Sequence, residues 1–126
     1  MTTFQKVYAG LNEAQRRAVD TVYGPVLVVA GPGTGKTQLL SARVAHLLQA
    51  TDALPHNILC LTFTESGAQN MRERLTSFIG QAAYDVQIST YHAFGSTVIR
   101  RFPEYFSALQ LERPVDELGK RQLLSE

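Results

Sequence analysis

Short apolar runs alternate with stretches of helical periodicity along this chain. Residues 25–30 and 57–63 are nearly continuous in apolar side chains, and residues 86–90 are predicted to form a third strand. Runs of this length are typical of strands that are buried on both faces. Between them, apolar side chains recur at helical spacing, which predicts helices over about 35–49 and from about residue 65 to Gly80. The strand–helix–strand order predicts an α/β domain with a parallel sheet.

The chain begins with two stretches of different character. Residues 1–10 show no clear periodicity, and we expect them to form a loosely held lead-in. A helix is predicted to begin after Asn12, a favourable N-cap, and Gln15 stands at the spacing of a capping box. Gln15 has two interpretations, because its amide either satisfies the backbone at Asn12 or pairs with the edge of a nucleobase. Spacing alone favours the cap.

A glycine-rich turn follows the first predicted strand and carries the most specific chemistry. Residues 30–37 nearly fit the phosphate-binding pattern G-x-x-x-x-G-K-[ST], with Ala30 in place of its first glycine. Glycines let backbone N–H groups turn toward a phosphate, and the following helix adds its positive N-terminal end. Lys36 is predicted to reach the β- and γ-phosphates and Thr37 to ligate Mg²⁺. The alternative is a plain strand-to-helix turn with an exposed lysine, which the flanking patterns disfavour.

Composition constrains the class of protein less than the motifs do. The 126 residues include 12 basic and 11 acidic side chains, so the net charge of +1 neither supports nor excludes a nucleic-acid partner. The single cysteine, Cys60, is expected to be a buried thiol in a reducing compartment. No apolar run approaches the ~18 residues of a membrane span, so the cytoplasm is the expected location.

Four sequence blocks stand in order along the chain and together carry a family resemblance. They are LNEAQRRAV at 11–19, AGPGTGKT at 30–37, LTFTESGAQNMRER at 61–74 and TYHAF at 90–94. Their order and spacing resemble the N-terminal part of superfamily 1 DNA helicases of the UvrD/Rep type, over about residues 11–101. The resemblance implies an incomplete P-loop NTPase (RecA-like) fold that binds ATP and Mg²⁺.

The resemblance also assigns residues to the nucleotide. In that family a glutamine at the position of Gln15 contacts adenine, which favours the nucleobase interpretation here. Many relatives carry an arginine at the position of Gln38 that helps to sandwich the adenine, so this chain departs from the pattern there. Lys36 and Thr37 are the implied catalytic residues, and Thr37 is the implied metal ligand. The whole implied nucleotide site comprises Gln15, Ala30, Gly31, Pro32, Gly33, Thr34, Gly35, Lys36, Thr37 and Gln38.

A single-stranded DNA surface is implied at the ends of the second and third strands. Its expected residues are Thr62, Phe63, Thr64, Thr90 and His92. The ring of Phe63 would stack on a base, and Thr90 and His92 would donate hydrogen bonds to phosphates. Without the family, Phe63 is interpreted as a core aromatic at a strand end and His92 as an ordinary helix-start residue. Residues 65–67 replace the commoner Asn-Lys-Ala, which removes a positive charge near the expected DNA path.

Parts of the motor that ATP hydrolysis needs are not recognisable in the chain. Its only Asp-Glu pair, at 116–117, does not follow an apolar strand and is not the acidic motif that holds Mg²⁺ and activates water. By resemblance, the acidic motif, the arginines for the γ-phosphate and the second motor domain lie downstream of Glu126. We expect residues 1–102 to be a partial ATP-binding domain and residues 103–126 to begin a helical insertion.

The parent protein is predicted to be an ATP-dependent DNA helicase or translocase in DNA repair. Its expected partners are single-stranded DNA, single/double-strand junctions and the missing downstream helicase domains, and the chain alone is expected to be catalytically inactive. Two alternatives stand beside this prediction. One is another P-loop enzyme such as a small nucleotide kinase, and the other is a non-catalytic module that binds nucleotide or DNA.

Overall fold

The computed structural model describes residues 1–33 and 35–106. Their helices and strands are α1 Thr3–Ala9, α2 Glu13–Asp20, α3 Lys36–Ala50, β1 Leu59–Thr62, α4 Glu65–Ile79, β2 Gln87–Thr90, α5 Tyr91–Arg101 and α6 Pro103–Phe106. Contacts divide the chain into two units, and the first, Met1–His92, contains every predicted site residue. Most of the predicted helical insertion lies outside the described residues. No helix among residues 1–33 and 35–106 is long and apolar enough to cross a membrane.

The two strands pair in parallel, as the strand–helix–strand pattern predicts. Leu59 pairs with Gln87, and Thr62 at the end of β1 pairs with Thr90 at the end of β2. The crossover between them is α4, which Thr64 caps at its start and which ends at Gly80 as predicted. Because the register aligns both carboxyl ends, the residues that follow β1 and β2 leave the sheet at the same edge.

The predicted strand at 25–30 is wrong, because these residues form no strand and pair with no described strand. Leu27 and Val29 are each 90% exposed, and Val26 and Val28 are also exposed. A parallel strand needs a neighbour for its backbone hydrogen bonds as well as cover on both faces. The sheet formed by β1 and β2 does not supply that neighbour to residues 25–30. The apolar run therefore indicates that these residues tend to be buried, but the local sequence does not specify the strand with which they would pair.

The expectation of a loose lead-in at residues 1–10 is also wrong, because Thr3–Ala9 forms α1. Thr2 caps this helix, and Gln5 completes a capping box with it. Phe4 is only 5% exposed, and its ring meets the Phe78 ring of α4 edge-on with centroids 5.9 Å apart. Burial of an aromatic ring of this size is enough to hold a short helix that would be marginal alone.

Helix α3 lies at the centre of the first unit, because it contributes to two hydrophobic clusters. Its Leu39, Ala42 and Ala45 pack with α1 and α2 residues such as Phe4 and Val19. Val44 of α3 instead packs with a second cluster, which also contains Met71, Leu75, Ala83 and Val86. The helix that follows the glycine-rich turn is thus held on two sides by buried side chains.

Arg72 on α4 has a structural role. Its guanidinium donates to the Ala83 carbonyl at 2.9 Å and to the Val86 carbonyl at 3.4 Å, and it lies over the Tyr84 ring. These bonds hold the 3₁₀ turn Gly80–Asp85 and the start of β2 against α4.

On β1, the Cys60 thiol is free and half-buried. Burial raises the pKa of Cys60, and the positive charge of Arg72 opposes the shift.

Candidate functional site

The glycine-rich turn has the backbone geometry that phosphate binding needs. Gly33 and Gly35 have φ values of 75° and 73°, in the left-handed region that favours glycine. Gly35 is the N-cap of the 15-residue α3, and no side chain caps the helix start. Unpaired N–H groups of the first turn are the donors that a phosphate would accept. Thr34 lies outside the described residues.

Lys36 and Thr37 occupy the first turn of α3, and both are exposed. The Thr37 carbonyl accepts a hydrogen bond from Ser41 Oγ at 2.8 Å, which anchors this turn to the buried Ser41. A hydroxyl oxygen is a ligand type that Mg²⁺ accepts, so Thr37 fits the predicted role. In the described part of the chain, no group of three or more His, Cys, Asp and Glu side chains could hold a metal ion.

Gln15 forms the capping box that its spacing predicts. The Gln15 backbone N–H donates to Asn12 Oδ1 at 2.8 Å, and the Asn12 backbone N–H donates to Gln15 Oε1 at 3.0 Å. The two interpretations of Gln15 are nevertheless compatible, since the amide nitrogen Nε2 carries two further donors. The cap is thus confirmed, and the contact with a nucleobase stays a prediction.

A cavity of about 390 Å³ brings Gln15 together with the start of α3. It is lined by Lys6, Val7, Gly10, Leu11, Gln15, Gly35, Gln38 and Leu39. Gln15 and Gly35, which are 20 residues apart in the sequence, therefore line one concave surface together with Gln38. Six described residues of the implied nucleotide site do not line this cavity: Ala30, Gly31, Pro32, Gly33, Lys36 and Thr37.

Sequence reasoning missed Lys6 as a residue of this cavity. Lys6 lies in the last turn of α1, which was expected to be a loose segment. The spacing of Thr2 and Gln5, which is that of a second capping box, was the available signal for this helix. No sequence pattern places α1 beside the glycine-rich turn.

The ends of β1 and β2 bring most of the predicted DNA residues to one edge. Phe63 follows β1 and is 90% exposed, so it is not a core aromatic. Its ring lies 5.2 Å, centroid to centroid, from the ring of Tyr91, which follows β2 and was not predicted as a site residue. Thr64 Oγ1 accepts the Gly67 N–H at 2.9 Å, and Thr62 Oγ1 donates to the Thr64 carbonyl at 2.9 Å. Both threonine side chains therefore shape the turn from β1 into α4.

The two predicted phosphate contacts, Thr90 at the end of β2 and His92 in α5, differ in access. His92 is exposed in the first turn of α5, whereas Thr90 is 6% exposed at the end of β2. A phosphate would reach the His92 imidazole directly, but a contact with Thr90 would need its surroundings to open. The edge thus offers one exposed imidazole beside two exposed aromatic rings.

Comparison with known proteins supports the family resemblance that the four sequence blocks indicate. A family model described as the UvrD/REP helicase N-terminal domain matches residues 11–126. The chain is 38% identical over 116 residues to an ATP-dependent DNA helicase PcrA from Leuconostoc citreum, a match that covers 91% of this chain and 16% of that protein. It is 43% identical over 96 residues to the protein of that name from Bacillus subtilis (strain 168), covering 76% of this chain and 13% of that protein. The chain therefore spans about a sixth or less of the length of these relatives.

Proposed function

The chain belongs to the UvrD/REP helicase N-terminal domain family, and from this premise we propose that it forms the ATP-phosphate and single-stranded DNA contacts of an ATP-dependent DNA helicase motor. Family membership argues against the nucleotide-kinase alternative. Because the chain spans so small a share of its relatives, the helicase activity belongs in this proposal to the parent protein, with ATP, Mg²⁺ and DNA as its ligands.

The observation that carries the nucleotide half of the proposal is the cavity shared by Gln15, Gly35 and Gln38. A site for a nucleoside triphosphate needs a phosphate cradle and a base site close enough for one bound nucleotide to occupy both. The positive-φ glycines and the uncapped start of α3 supply the cradle, and the cavity beside them supplies room for a base.

In this arrangement the residues have separate tasks. Lys36 neutralises charge on the β- and γ-phosphates, while the helix start binds phosphate oxygens through backbone N–H groups. Thr37 would hold Mg²⁺, which when bound neutralises and orients the phosphates. Gln15 faces the base. Gln38 lines the same cavity. It brings no positive charge, so this chain lacks the arginine that helps to sandwich the adenine in many relatives.

The DNA half of the proposal rests on the aligned strand ends. Thr62 and Thr90 are register partners, so Phe63 and Tyr91 leave the sheet side by side. Exposed aromatic rings give stacking surfaces for bases without selecting a sequence, and the adjacent His92 offers a donor for a phosphate.

The nucleotide site is tested by binding of a ribose-labelled fluorescent ATP in the presence of Mg²⁺. We expect Lys36→Ala to weaken binding by at least tenfold, because a charge-assisted contact with the phosphates is lost. Arg74→Ala removes an exposed positive charge from α4 and serves as the control, with no expected change. Equal affinities for the Lys36 and Arg74 variants would contradict the proposed phosphate site.

Turnover is a separate prediction for the same 126-residue chain. Hydrolysis also needs a carboxylate that activates water and arginines that contact the γ-phosphate. We therefore expect binding without steady-state ATP hydrolysis. Measurable turnover that Lys36→Ala abolishes would show that this chain contains a complete active site, against the proposal.

The DNA edge is tested by fluorescence anisotropy with labelled single-stranded DNA at two salt concentrations. Phe63→Ala is expected to weaken binding by about fivefold or more, since stacking contributes ~1–3 kcal/mol per base. His92→Ala is expected to weaken binding and reduce its salt dependence. Tyr84→Ala is the matched control, because Tyr84 is also exposed but precedes β2 at the opposite end of that strand. A loss as large for Tyr84→Ala as for Phe63→Ala would mean that the edge is not the binding surface.

A further inference from the structure

Helix α1 has two faces with different surroundings. Phe4 and Tyr8, four residues apart, pack on the hydrophobic cluster that α2 and α3 also form. Lys6 and Gly10, also four residues apart, line the cavity at the start of α3. The face of α1 that holds the helix in place is therefore distinct from the face at the cavity.

The contacts of Phe4 and Tyr8 fix the position of α1 and, with it, the position of Lys6. Phe4 is 5% exposed and belongs to the same buried cluster as Leu39 of α3, which itself lines the cavity. The Tyr8 hydroxyl donates to Asp20 Oδ1 at the end of α2 at 2.7 Å. Helix α1 is thus anchored to both helices that form the rest of the cavity, so the backbone of Lys6 is held beside it.

The cavity contains a single charged side chain. Among the described residues that line it, Lys6 is the only one that carries a charge, and no carboxylate lies among them. Lys36 does not line this cavity, so the two lysines serve different parts of the site. A nucleotide that extends from the start of α3 into the cavity would meet Lys36 at its phosphates and Lys6 at its nucleoside.

From this placement we infer that Lys6 is a nucleotide-binding residue, whose ammonium donates hydrogen bonds to the ribose and base of the bound nucleotide. The inference rests on the proposed nucleotide site and adds a contact to it. An ammonium has three N–H donors on a flexible stem, and ribose hydroxyls and ring nitrogens are acceptors within a nucleoside. The family model matches residues 11–126, so Lys6 lies before the matched residues, and α1 adds this contact to the site.

Variants at position 6 separate the charge of the side chain from its length. Lys6→Met keeps an unbranched side chain of similar helix propensity but has no N–H to donate, whereas Lys6→Arg keeps the charge and the donors. Arg17→Met is the matched control, because Arg17 is an exposed cation of α2 that does not line the cavity. Lys36→Ala reports whether ATP binds at the phosphate cradle. Unfolding midpoints of all variants check that each is folded.

The readout is isothermal titration calorimetry of the 126-residue chain with Mg²⁺, using unlabelled ATP and inorganic triphosphate as ligands. In the proposed site ATP occupies the cradle and the cavity, whereas inorganic triphosphate occupies the cradle alone. We expect Lys6→Met to weaken ATP binding about fivefold and triphosphate binding by less than about twofold, because a charged hydrogen bond that is open to solvent contributes modestly. Lys6→Arg and Arg17→Met are expected to stay within about twofold of the wild type for both ligands.

The outcomes separate this inference from the proposed nucleotide site. Unchanged ATP affinity in Lys6→Met, with binding that still depends on Lys36, overturns the inference alone. Equal losses of ATP and triphosphate affinity in Lys6→Met, or a loss as large in Arg17→Met, would assign the effect to general attraction of anions and would also overturn it. Absence of Lys36-dependent ATP binding overturns the proposed nucleotide site and this inference together.

Discussion

Tyr8 connects three helices through one hydroxyl and one ring. Its hydroxyl donates to Asp20 Oδ1 at 2.7 Å, and its ring stacks on His46 with centroids 5.9 Å apart and an interplanar angle of 10°. The Arg16 guanidinium lies 5.1 Å from the centre of the same ring. The hydrogen bond to Asp20, with smaller effects of burial and of the Asp20 charge, raises the pKa of Tyr8 above its ordinary value of 10.0, while Arg16 opposes the shift.

A raised pKa for Tyr8 predicts a stability loss at alkaline pH. The folded protein keeps the phenol proton more tightly than the unfolded chain, so the stabilisation is fully present below pH 10 and is lost as pH rises through the folded pKa. Urea unfolding of wild type and Tyr8→Phe at several pH values between neutral and strongly alkaline measures this. The difference in unfolding free energy between the two proteins is expected to be constant at lower pH and to shrink above pH 10. A difference that stays constant throughout would exclude the Tyr8–Asp20 bond as its source.

Among the elements, the 3₁₀ turn Gly80–Asp85 depends most clearly on a single side chain. Arg72→Ala leaves the Ala83 and Val86 carbonyls without the guanidinium, and Ala83 and Val86 are buried. We expect the free energy of unfolding to fall by about 2 kcal/mol, because bonds to charged donors contribute more than neutral ones. Arg74→Ala, on the exposed side of the same helix, is expected to change it by less than about 0.5 kcal/mol. Denaturant titration compares the two, and similar losses would assign the effect to helix α4 in general.

Helices were predictable from the sequence where their signals were local. The Asn12–Gln15 box, the Gly80 stop and the apolar periodicity of α4 are each encoded within a few residues, and the structure confirms them. Helix α1 was missed although Phe4, Val7 and Tyr8 stand at helical spacing, because a helix of seven residues is marginal alone and the burial of Phe4 against α4 stabilises it. The prediction of a strand at 25–30 was wrong because a strand requires a pairing partner, and no local sequence pattern specifies that partner.

The candidate site was predictable in its parts but not in its assembly. The loop glycines, Lys36 and Thr37 are recognisable by type and spacing, because phosphate chemistry restricts what can stand there. The meeting of Gln15 with Gln38 depends on how α2 packs against α3, which is a property of the core. The ring of Tyr91 beside Phe63 likewise follows from the register of two strands.

At the scale of the whole molecule, residues 26–29 present an exposed apolar surface directly before the phosphate loop. A cavity of about 750 Å³ lies between α3 and β1 in the same unit, with apolar side chains such as Leu40, Leu47 and Leu61 in its lining. Contiguous exposed apolar surface of this kind favours association with other apolar surfaces, including a second copy of the chain.

Charge substitution in this segment is expected to reduce self-association. The double variant Leu27→Lys/Val29→Lys places two positive charges where the wild type exposes two aliphatic side chains. Sedimentation velocity over a concentration series should show concentration-dependent larger species for the wild type and fewer for the variant. Leu54→Lys adds one positive charge at an exposed leucine elsewhere and, compared with Leu27→Lys alone, controls for the added charge. Identical profiles for the wild type and the double variant would show that residues 26–29 do not drive association.

The packing of α3 against α4 has a consequence for how the binding of the two proposed ligands, nucleotide and single-stranded DNA, would be coupled. Helix α3 begins at the glycine-rich turn and α4 begins after β1, beside Phe63. Where the two helices meet, Ser41 Oγ, which donates to the Thr37 carbonyl, lies 3.4 Å from Met71 Sδ. If nucleotide shifts this packing, its effect on DNA affinity must equal the effect of DNA on nucleotide affinity, because the two describe one thermodynamic cycle. The packing between α3 and α4 would then couple the two binding affinities, and its stiffness would set the size of both effects.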